Sequence, residues 1–178
     1  KSSISEYDNK IPSNLTVEQI LIRSGNIGSV RIGQKLEIIK LKAFLEKIGI
    51  LSKINFDIEE VGEPIPFKWG KCKLATVSFG HGITTTPLQL AKAYAIISNG
   101  GFAVEPSLIK SELKNNQQKK RIIKAGISEK INLILRKIVT TKEGTAGLVN
   151  IKGYEVGGKT GTAQKTIVGG YSKAKVNT

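Results

Sequence analysis

The 178-residue sequence contains no methionine, one cysteine and one histidine, and aromatic residues make up only 6% of it. A single cysteine, Cys72, cannot form a disulfide within the chain, so the cysteine content leaves the redox compartment open. Cys72 and the single histidine, His81, are also too few for a structural zinc site. No apolar run reaches the roughly 18 residues of a transmembrane helix. With few aromatic rings, aliphatic side chains have to supply most of a hydrophobic core.

Acidic residues are also scarce relative to basic ones. The chain has 28 basic and 14 acidic residues, which give a formal net charge of +14. This excess is compatible with nucleic-acid binding. However, 24 of the 28 basic residues are lysine, whereas arginine is the residue that most often contacts base edges. We therefore favour a solvated, lysine-rich surface, and an anionic partner such as a membrane surface, or nucleic acid, is the alternative.

Two helices are predicted in the first 50 residues. A capping box at Thr16 and Gln19 predicts a short helix that ends at the turn-forming Ser24-Gly25-Asn26. A second helix is predicted over about 32–47, with Gly49 as its C-terminal cap. Its apolar face consists of Leu36, Ile39 and Ala43, extended by Phe44 and Ile48.

Two more helices are predicted in the second half of the chain. One covers about 87–98, where Thr86 and Gln89 form another capping box. The other covers about 129–140, with Ser128 as its N-cap. Outside the helices, we predict a loop-rich crossing with one short strand over 51–78, a polar tip at 115–121, and a strand over 154–165.

The strongest chemical motif is GGKTGTAQK, residues 157–165. In a strand, Lys159 and Gly161 point to one side, and Thr160 and Thr162 to the other. Because Gly161 has no side chain, the face beside Lys159 is open to a ligand. A cation beside hydroxyls and backbone N–H groups suits a carboxylate, whereas the spacing of a phosphate-binding loop is absent. The motif predicts a carboxylate site, and a glycine-rich strand end with a solvated lysine is the alternative.

Two other segments carry weaker signals. Ser24 and Asn26 could project into one cleft, where a hydroxyl relays protons and a carboxamide holds an amide, although an ordinary turn has the same composition. His81 lies between Gly80 and Gly82, and no aspartate lies near it in sequence to orient it as a general base. The simpler interpretation of His81 is a loop residue.

Together these segments resemble the transpeptidase domain of class B penicillin-binding proteins, and most closely the septal, cell-division type. The wider group shares an SxxK box, a serine-containing triplet and KTG, in that order. Ser24-Gly25-Asn26 corresponds to the triplet, and Lys159-Thr160-Gly161 corresponds to KTG. TPLQLAKAYA at 86–95 and GTAG at 144–147 also match in order. The resemblance extends from about Leu15 to Tyr171.

The resemblance implies an α/β fold of the penicillin-binding protein and serine β-lactamase type, an antiparallel sheet flanked by helices, of which residues 1–178 form an incomplete portion. It implies that Ser24 assists proton transfer to the leaving group and that Asn26 holds the substrate amide. Lys159 would supply positive potential and hydrogen bonding near Ser24. The substrate-binding residues would be Thr160, Gly161 and Thr162, where the two threonines bind the donor carboxylate and the Thr162 N–H forms half of the oxyanion hole. No metal or cofactor is implied.

The implied activity is that of a peptidoglycan D,D-transpeptidase, a transferase of cell-wall synthesis and cell division that binds penicillin. In the family, the SxxK serine attacks the D-alanyl-D-alanine end of a stem peptide, expels D-alanine and passes the acyl group to an amine of a neighbouring stem peptide. The implied partners are stem peptides, β-lactams and divisome membrane proteins, with no nucleic acid. The implied location is the periplasmic, extracytoplasmic side of the bacterial inner membrane, with an N-terminal anchor that is not in this chain.

The sequence departs from the family pattern in one respect, because no SxxK box precedes Ser24. Three SxxK strings follow the triplet, in the wrong order, and none begins a strong apolar helix; they are Ser107–Lys110, Ser111–Lys114 and Ser172–Lys175. We also expect the next strand of the sheet to follow Thr178. The expectation is therefore a chain that is cut at both ends and inactive alone. The alternative is a non-catalytic remnant or binding module of a split penicillin-binding protein.

Overall fold

The computed structural model describes residues 4–59, 62–110, 120–167 and 170–177. In these ranges the elements are α1 Val17–Ile22, α2 Asn26–Lys47, α3 Lys71–Ser78, α4 Pro87–Ser98, α5 Ala125–Thr140, a 3₁₀ turn Gly147–Val149, β1 Ala163–Ile167 and β2 Gly170–Asn177. None of these helices is long and apolar enough to cross a membrane. Most of the predicted polar tip, and the string Ser111–Lys114, lie outside the described residues.

The chain divides into two compact units. The first unit comprises Lys1–Ile39, Lys68–Ile83 and Leu133–Thr178, and the second comprises Lys40–Phe67 and Thr84–Asn132. All the residues that the sequence predicts as catalytic or substrate-binding belong to the first unit. The candidate site therefore lies within the first unit.

In the first unit, α1 begins where the sequence predicts. Thr16 Oγ1 accepts a hydrogen bond from the Gln19 N–H at 3.2 Å, and Gln19 Oε1 accepts one from the Thr16 N–H at 2.9 Å. This reciprocal pair satisfies two N–H groups that the first turn of a helix leaves unbonded. The predicted capping box is confirmed.

The start of α2 differs from the prediction, because the helix begins at Asn26 and not at Ile32. The Glu6 carboxylate accepts hydrogen bonds from the N–H groups of Asn26, at 2.6 Å, and Ile27, at 3.0 Å. A negative charge at a helix N-terminus is favourable, since the first N–H groups lack partners within the helix. The cap comes from 20 residues earlier in the chain, so local sequence does not reveal it.

The predicted apolar face of α2 is mostly exposed, and of its five residues only Ile48, just after the helix, is buried. The backbone of Glu37 has φ 64° and ψ 166°, which interrupts the helix. Helical periodicity does not continue across such a break, so Leu36 and Ile39, which flank it, are 41% and 79% exposed. The predicted end of α2 is confirmed: Gly49 has φ 84°, and the Ile50 N–H bonds the Leu45 carbonyl at 2.9 Å.

Two glycines let helices of the first unit approach closely. A Cβ atom added at Gly28 would lie 2.6 Å from Cγ1 of the buried Ile20, so α1 and α2 meet there without intervening side chains. A Cβ atom at Gly33 would lie 2.8 Å from the Cβ atom of Ser78, at the end of α3.

The prediction of loop and strand over 51–78 is wrong for its last eight residues, because 71–78 form α3. Its N-cap is Gly70, which has no side chain to cap the helix, so local sequence does not indicate where the helix begins.

In the second unit, α4 has the predicted bounds and the predicted capping box. The side chain of Gln89 is 0% exposed, and it makes hydrogen bonds beyond those that cap the helix. Its Nε2 donates to the carbonyl oxygens of Ser52, at 2.7 Å, and Gly49, at 3.3 Å. One buried carboxamide therefore satisfies both the start of α4 and the loop that follows α2.

The start of α5 also differs from the prediction. The helix begins at Ala125, so Ser128 lies inside it and the N-cap prediction is wrong. Ser128 is 1% exposed, and its hydroxyl donates to the Ile97 carbonyl. The amide of Asn132 donates to the same carbonyl at 3.2 Å. The Ser128 side chain, which suggested a helix start, thus makes a tertiary contact with the end of α4, and Asn132 makes a second one.

The predicted strand over 154–165 is mostly outside the sheet. β1 begins only at Ala163 and pairs antiparallel with β2, with Ala163 opposite Asn177 and an irregularity between Gln164 and Thr166. The expectation that the next strand follows Thr178 is wrong, because β2 lies within the chain. Lys159 and its neighbours therefore form the segment that leads into a two-stranded antiparallel pair.

Candidate active site

Ser24 occupies a strained position between α1 and α2. The Ser24 N–H bonds the Leu21 carbonyl at 3.3 Å, and the Gly25 N–H bonds the Ile20 carbonyl at 2.9 Å, which is a Schellman motif. The position that Ser24 takes in this motif is left-handed and usually glycine, and the φ angle of Ser24 is 54°. For a residue with a Cβ atom this conformation costs roughly 1–2 kcal/mol. Such strain is typical of functional sites.

Lys159 lies against this serine although 135 residues separate them in sequence. The Lys159 ammonium donates a hydrogen bond to Ser24 Oγ. It also donates to the Thr160 carbonyl at 2.9 Å. Lys159 is half-buried, and burial lowers the pKa of its ammonium below the ordinary lysine value. The structure thus brings together the two motifs that the sequence singled out.

The end of α5 holds the segment that carries Lys159. The Gly158 N–H donates to the Leu135 carbonyl at 3.1 Å, and Arg136 Nη1 donates to the Val156 carbonyl at 2.8 Å. A Cβ atom added at Gly157 would lie 3.3 Å from the Cβ atom of Leu135, so this approach is close. Local sequence does not indicate Arg136 as a support for Lys159, because its two partners lie 14 and 20 residues further along the chain: the Asn150 side-chain Oδ1, at 3.2 Å, and the Val156 carbonyl.

Thr145 is a second residue that sequence reasoning missed. Its Oγ1 lies 2.6 Å from Thr160 Oγ1, in a hydrogen bond that either hydroxyl can donate. Ala146 N–H bonds the Ile138 carbonyl at 3.2 Å, which holds this loop on α5. The GTAG match at 144–147 was the sequence signal that marked Thr145, but it did not indicate that Thr160 is its hydrogen-bond partner.

The region around Gly161 and Thr162 is open. Both residues are exposed, and no heavy atom of the described residues lies within 4 Å of a Cβ atom added at Gly161. Thr160 is exposed as well, with its hydroxyl shared with Thr145. Hydroxyls and a half-buried ammonium therefore border free space, as a carboxylate ligand requires.

Asn26 points elsewhere in this structure. Its Nδ2 donates to the Ser5 carbonyl at 3.0 Å. Within the described ranges, no hydrogen bond joins the Asn26 side chain to Ser24 or Lys159. The structure thus places Asn26 beside Ser24 in the same turn but does not link it to Lys159, and its role toward a substrate amide stays a prediction.

His81 lies in a loop, as predicted, with Gly80 and Gly82 at φ 88° and 69°. It also contacts β1, because its Nε2 accepts a hydrogen bond from the Gln164 N–H at 3.4 Å. Its ring packs on Phe79 with the centroids 4.7 Å apart. In the described part of the chain, no three His, Cys, Asp or Glu side chains lie close enough together to hold a metal ion.

The SxxK strings inside the described residues do not begin helices. Ser107–Lys110 lies in a loop, where Ser107 Oγ donates to Asp57 Oδ2 at 2.7 Å. Ser172–Lys175 lies within β2. A serine nucleophile with a lysine one helical turn later requires a helix, so neither string has the required geometry.

Comparison with known proteins identifies the class. The family model for the penicillin-binding protein transpeptidase domain matches residues 1–178. Stage V sporulation protein D of Bacillus subtilis is 32% identical over an alignment of 169 residues, and the match covers 88% of this chain and 26% of that protein. The probable peptidoglycan D,D-transpeptidase FtsI of Caulobacter vibrioides is 28% identical over 153 residues, 85% of this chain and 26% of that protein.

A solved structure agrees with these relatives. The apo transpeptidase domain of penicillin-binding protein 3 from Burkholderia pseudomallei matches with a TM-score of 0.83 and 25% identity, over 91% of this chain and 50% of that one. The chain therefore belongs to the penicillin-binding protein transpeptidase family. The family and the fold that the motifs predicted are confirmed. The chain spans about a quarter of the length of the two relatives, 26% of each.

Proposed function

We propose that this chain is part of a peptidoglycan D,D-transpeptidase that cross-links stem peptides through an acyl-serine intermediate and binds β-lactams. The observation that carries the proposal is the hydrogen bond from the Lys159 ammonium to Ser24 Oγ. It joins the triplet and the KTG motif into one site. The relatives named as D,D-transpeptidases support the same reaction class.

In the proposed mechanism, the donor carboxylate binds in the open region beside Gly161. The hydroxyls of Thr160 and Thr162 donate hydrogen bonds to it, and the positive charge of Lys159 attracts it. This fixes the end of the stem peptide relative to Ser24. The N–H of Thr162 stabilises the oxyanion that forms when the scissile carbonyl is attacked.

Ser24 and Lys159 act on the leaving group. The nucleophilic serine attacks the carbonyl carbon, its hydroxyl proton passes to the lysine of its own SxxK box, and the carbon–nitrogen bond to D-alanine breaks. Ser24 gives its hydroxyl proton to that nitrogen and receives one from Lys159, whose lowered pKa makes it a readier donor. We assign the nucleophile to an SxxK box outside these 178 residues, because none precedes Ser24.

The substrate determines where such an enzyme works. Peptidoglycan stem peptides are cross-linked outside the cytoplasmic membrane, so we place the parent protein on the extracytoplasmic side, with divisome membrane proteins as its partners.

The alternative function is a module that binds β-lactam-like ligands without acylation.

Labelling with a fluorescent penicillin tests the proposal. The full-length product of the gene that encodes this chain should take a covalent label that survives denaturation, and Lys159→Ala and Ser24→Ala should each slow labelling by about 10²–10³. The 178 residues alone should stay unlabelled. A folded full-length protein that binds penicillin only reversibly would establish the binding module instead.

A further inference from the structure

Residues 5–7, which we name the clasp, make four hydrogen bonds to the turn that contains Ser24. Glu6 makes two of them: its carboxylate accepts from the N–H groups of Asn26 at 2.6 Å and Ile27 at 3.0 Å. Both of these N–H groups lie just after Ser24 in sequence. Because the acceptor is charged, these are stronger than hydrogen bonds between neutral groups.

The other two hydrogen bonds come from the neighbours of Glu6. Tyr7 Oη donates to the Arg23 carbonyl at 3.0 Å, just before Ser24. The Ser5 carbonyl accepts from the Asn26 side chain at 3.0 Å. Burial raises the pKa of the Tyr7 hydroxyl above its ordinary value, and the negative charge of Asp8 raises it further. The clasp thus holds peptide groups on both sides of Ser24.

We propose that Glu6 and Tyr7 are positioning residues that hold Ser24 in its left-handed conformation and so keep its hydroxyl against Lys159. The inference rests on the proposed function. It assigns a role to two residues that lie outside the SxxK, triplet and KTG motifs. Ser24 has φ 54°, a conformation that a serine leaves unless its surroundings hold it there. The Arg23 carbonyl belongs to the peptide group just before Ser24, and the Asn26 N–H belongs to the peptide group that follows Gly25. A rotation that moves either group breaks a clasp hydrogen bond.

A purely structural role for Glu6, as the cap of α2, makes a different prediction. A lost cap lowers the free energy of unfolding but does not change the rate of acylation in the protein that remains folded. A displaced Ser24 slows acylation at saturating penicillin, since the proton donor is then out of place, and leaves carboxylate binding by Thr160 and Thr162 unchanged. The two roles are therefore separable by kinetics.

The experiment uses the full-length protein with Glu6→Gln, Glu6→Asp and Tyr7→Phe, and Asp8→Asn as the matched control. Asp8→Asn makes the same charge change two residues along, where the carboxylate accepts a hydrogen bond from the nearby Lys10 N–H at 2.9 Å and from no other group in the described part of the chain. We expect Glu6→Gln and Tyr7→Phe to lower the saturating acylation rate about tenfold with the half-saturating penicillin concentration within twofold. Glu6→Asp should restore most of the rate, and Asp8→Asn should match the unaltered protein.

Two outcomes would overturn the proposal. One is a set of variants that lose stability but acylate at the full saturating rate, and the other is a Glu6→Asp variant that acylates no faster than Glu6→Gln.

Hydrogen exchange on the same proteins separates this inference from the proposed function. The peptide that covers residues 20–30 should exchange faster in Glu6→Gln than in Asp8→Asn, whether or not penicillin reacts. Absence of acylation in the unaltered protein would refute the proposed function, whereas equal exchange in the two variants would refute the clasp.

Discussion

Thr145 Oγ1 and Thr160 Oγ1 lie 2.6 Å apart and share one hydrogen bond. This contact fixes the rotamer of the Thr160 hydroxyl and therefore the direction in which it meets a ligand. Because Thr145 lies in the GTAG segment and Thr160 in the KTG motif, the pair joins two segments whose connection was not evident from the sequence of either one.

The Thr145 contact leads to a binding prediction. Thr145→Val keeps the side-chain shape and removes the hydroxyl, so Thr160 loses its orienting partner. One hydrogen bond contributes about 1 kcal/mol, and we expect the half-saturating penicillin concentration of the full-length protein to rise about fivefold. Thr145→Ser keeps the hydroxyl and serves as the control. An equal effect of Val and Ser would contradict the orienting role.

The lowered pKa of Lys159 predicts an alkaline limit to activity. Loss of its proton removes the charge that attracts the donor carboxylate, so the acylation rate should fall as the pH rises through a pKa below the ordinary value of 10.5. Lys159→Arg keeps its charge at every accessible pH. The pH profile of the arginine variant should lack this alkaline fall even if its rate is lower throughout.

The same shift has a consequence for stability, with the opposite trend. Between the lowered folded pKa and the unfolded pKa, the unfolded chain binds more protons at Lys159 than the folded chain does. The free energy of unfolding therefore rises with pH in that window, and the charged side chain opposes folding below it. Lys159→Met should unfold at a higher temperature than the unaltered protein at pH 7, with a smaller difference at pH 10. An equal difference at the two pH values would show that Lys159 charge does not oppose folding.

The left-handed turn at Ser24 predicts a conflict between stability and activity. Ser24→Gly and Ser24→Ala both remove the hydroxyl, but only glycine adopts φ 54° without strain. We expect the glycine variant to be more stable than the alanine variant by about 1 kcal/mol, measured by denaturant unfolding of the full-length protein. Both should be equally slow in acylation. A more stable alanine variant would show that the turn relaxes.

Loss of the Gln89 side chain should destabilise the second unit. Gln89→Leu leaves the carbonyls of Ser52 and Gly49 and the N–H of Thr86 without their buried partner. We expect a loss of about 2–4 kcal/mol in the free energy of unfolding. Thr86→Ala removes only the other half of the capping box and should cost about 1 kcal/mol. The difference between the two variants measures the contacts that Gln89 makes to the loop, and equal losses would mean that these contacts contribute nothing.

Capping hydrogen bonds could be predicted from the sequence where both partners lie within one helical turn. The capping boxes at Thr16–Gln19 and Thr86–Gln89 are such cases, since each pair is three residues apart and needs no other part of the chain. The glycine cap at Gly49 is another, because a positive φ angle is a property of a single residue. The family itself was predictable for the same reason, since its motifs are short strings.

Tertiary contacts decided the features that the sequence did not predict. The start of α2 depends on the Glu6 carboxylate, and the burial of Ser128 inside α5 depends on the Ile97 carbonyl. In both cases the local residues allow either outcome, and a distant partner selects one. The break in α2 at Glu37 likewise shifts the helical phase, so an apolar period in the sequence did not predict a buried face.

The candidate site combines both kinds of information. The sequence by itself identified Ser24 and Lys159 as members of two motifs, because residue type and spacing are properties of short strings. Only the tertiary structure decided that they touch, since a separation of 135 residues places no limit on distance. It also decided that Thr145, Arg136 and Glu6 hold the site, because their partners are a hydroxyl, carbonyls and backbone N–H groups that every sequence offers in abundance and that only the fold selects.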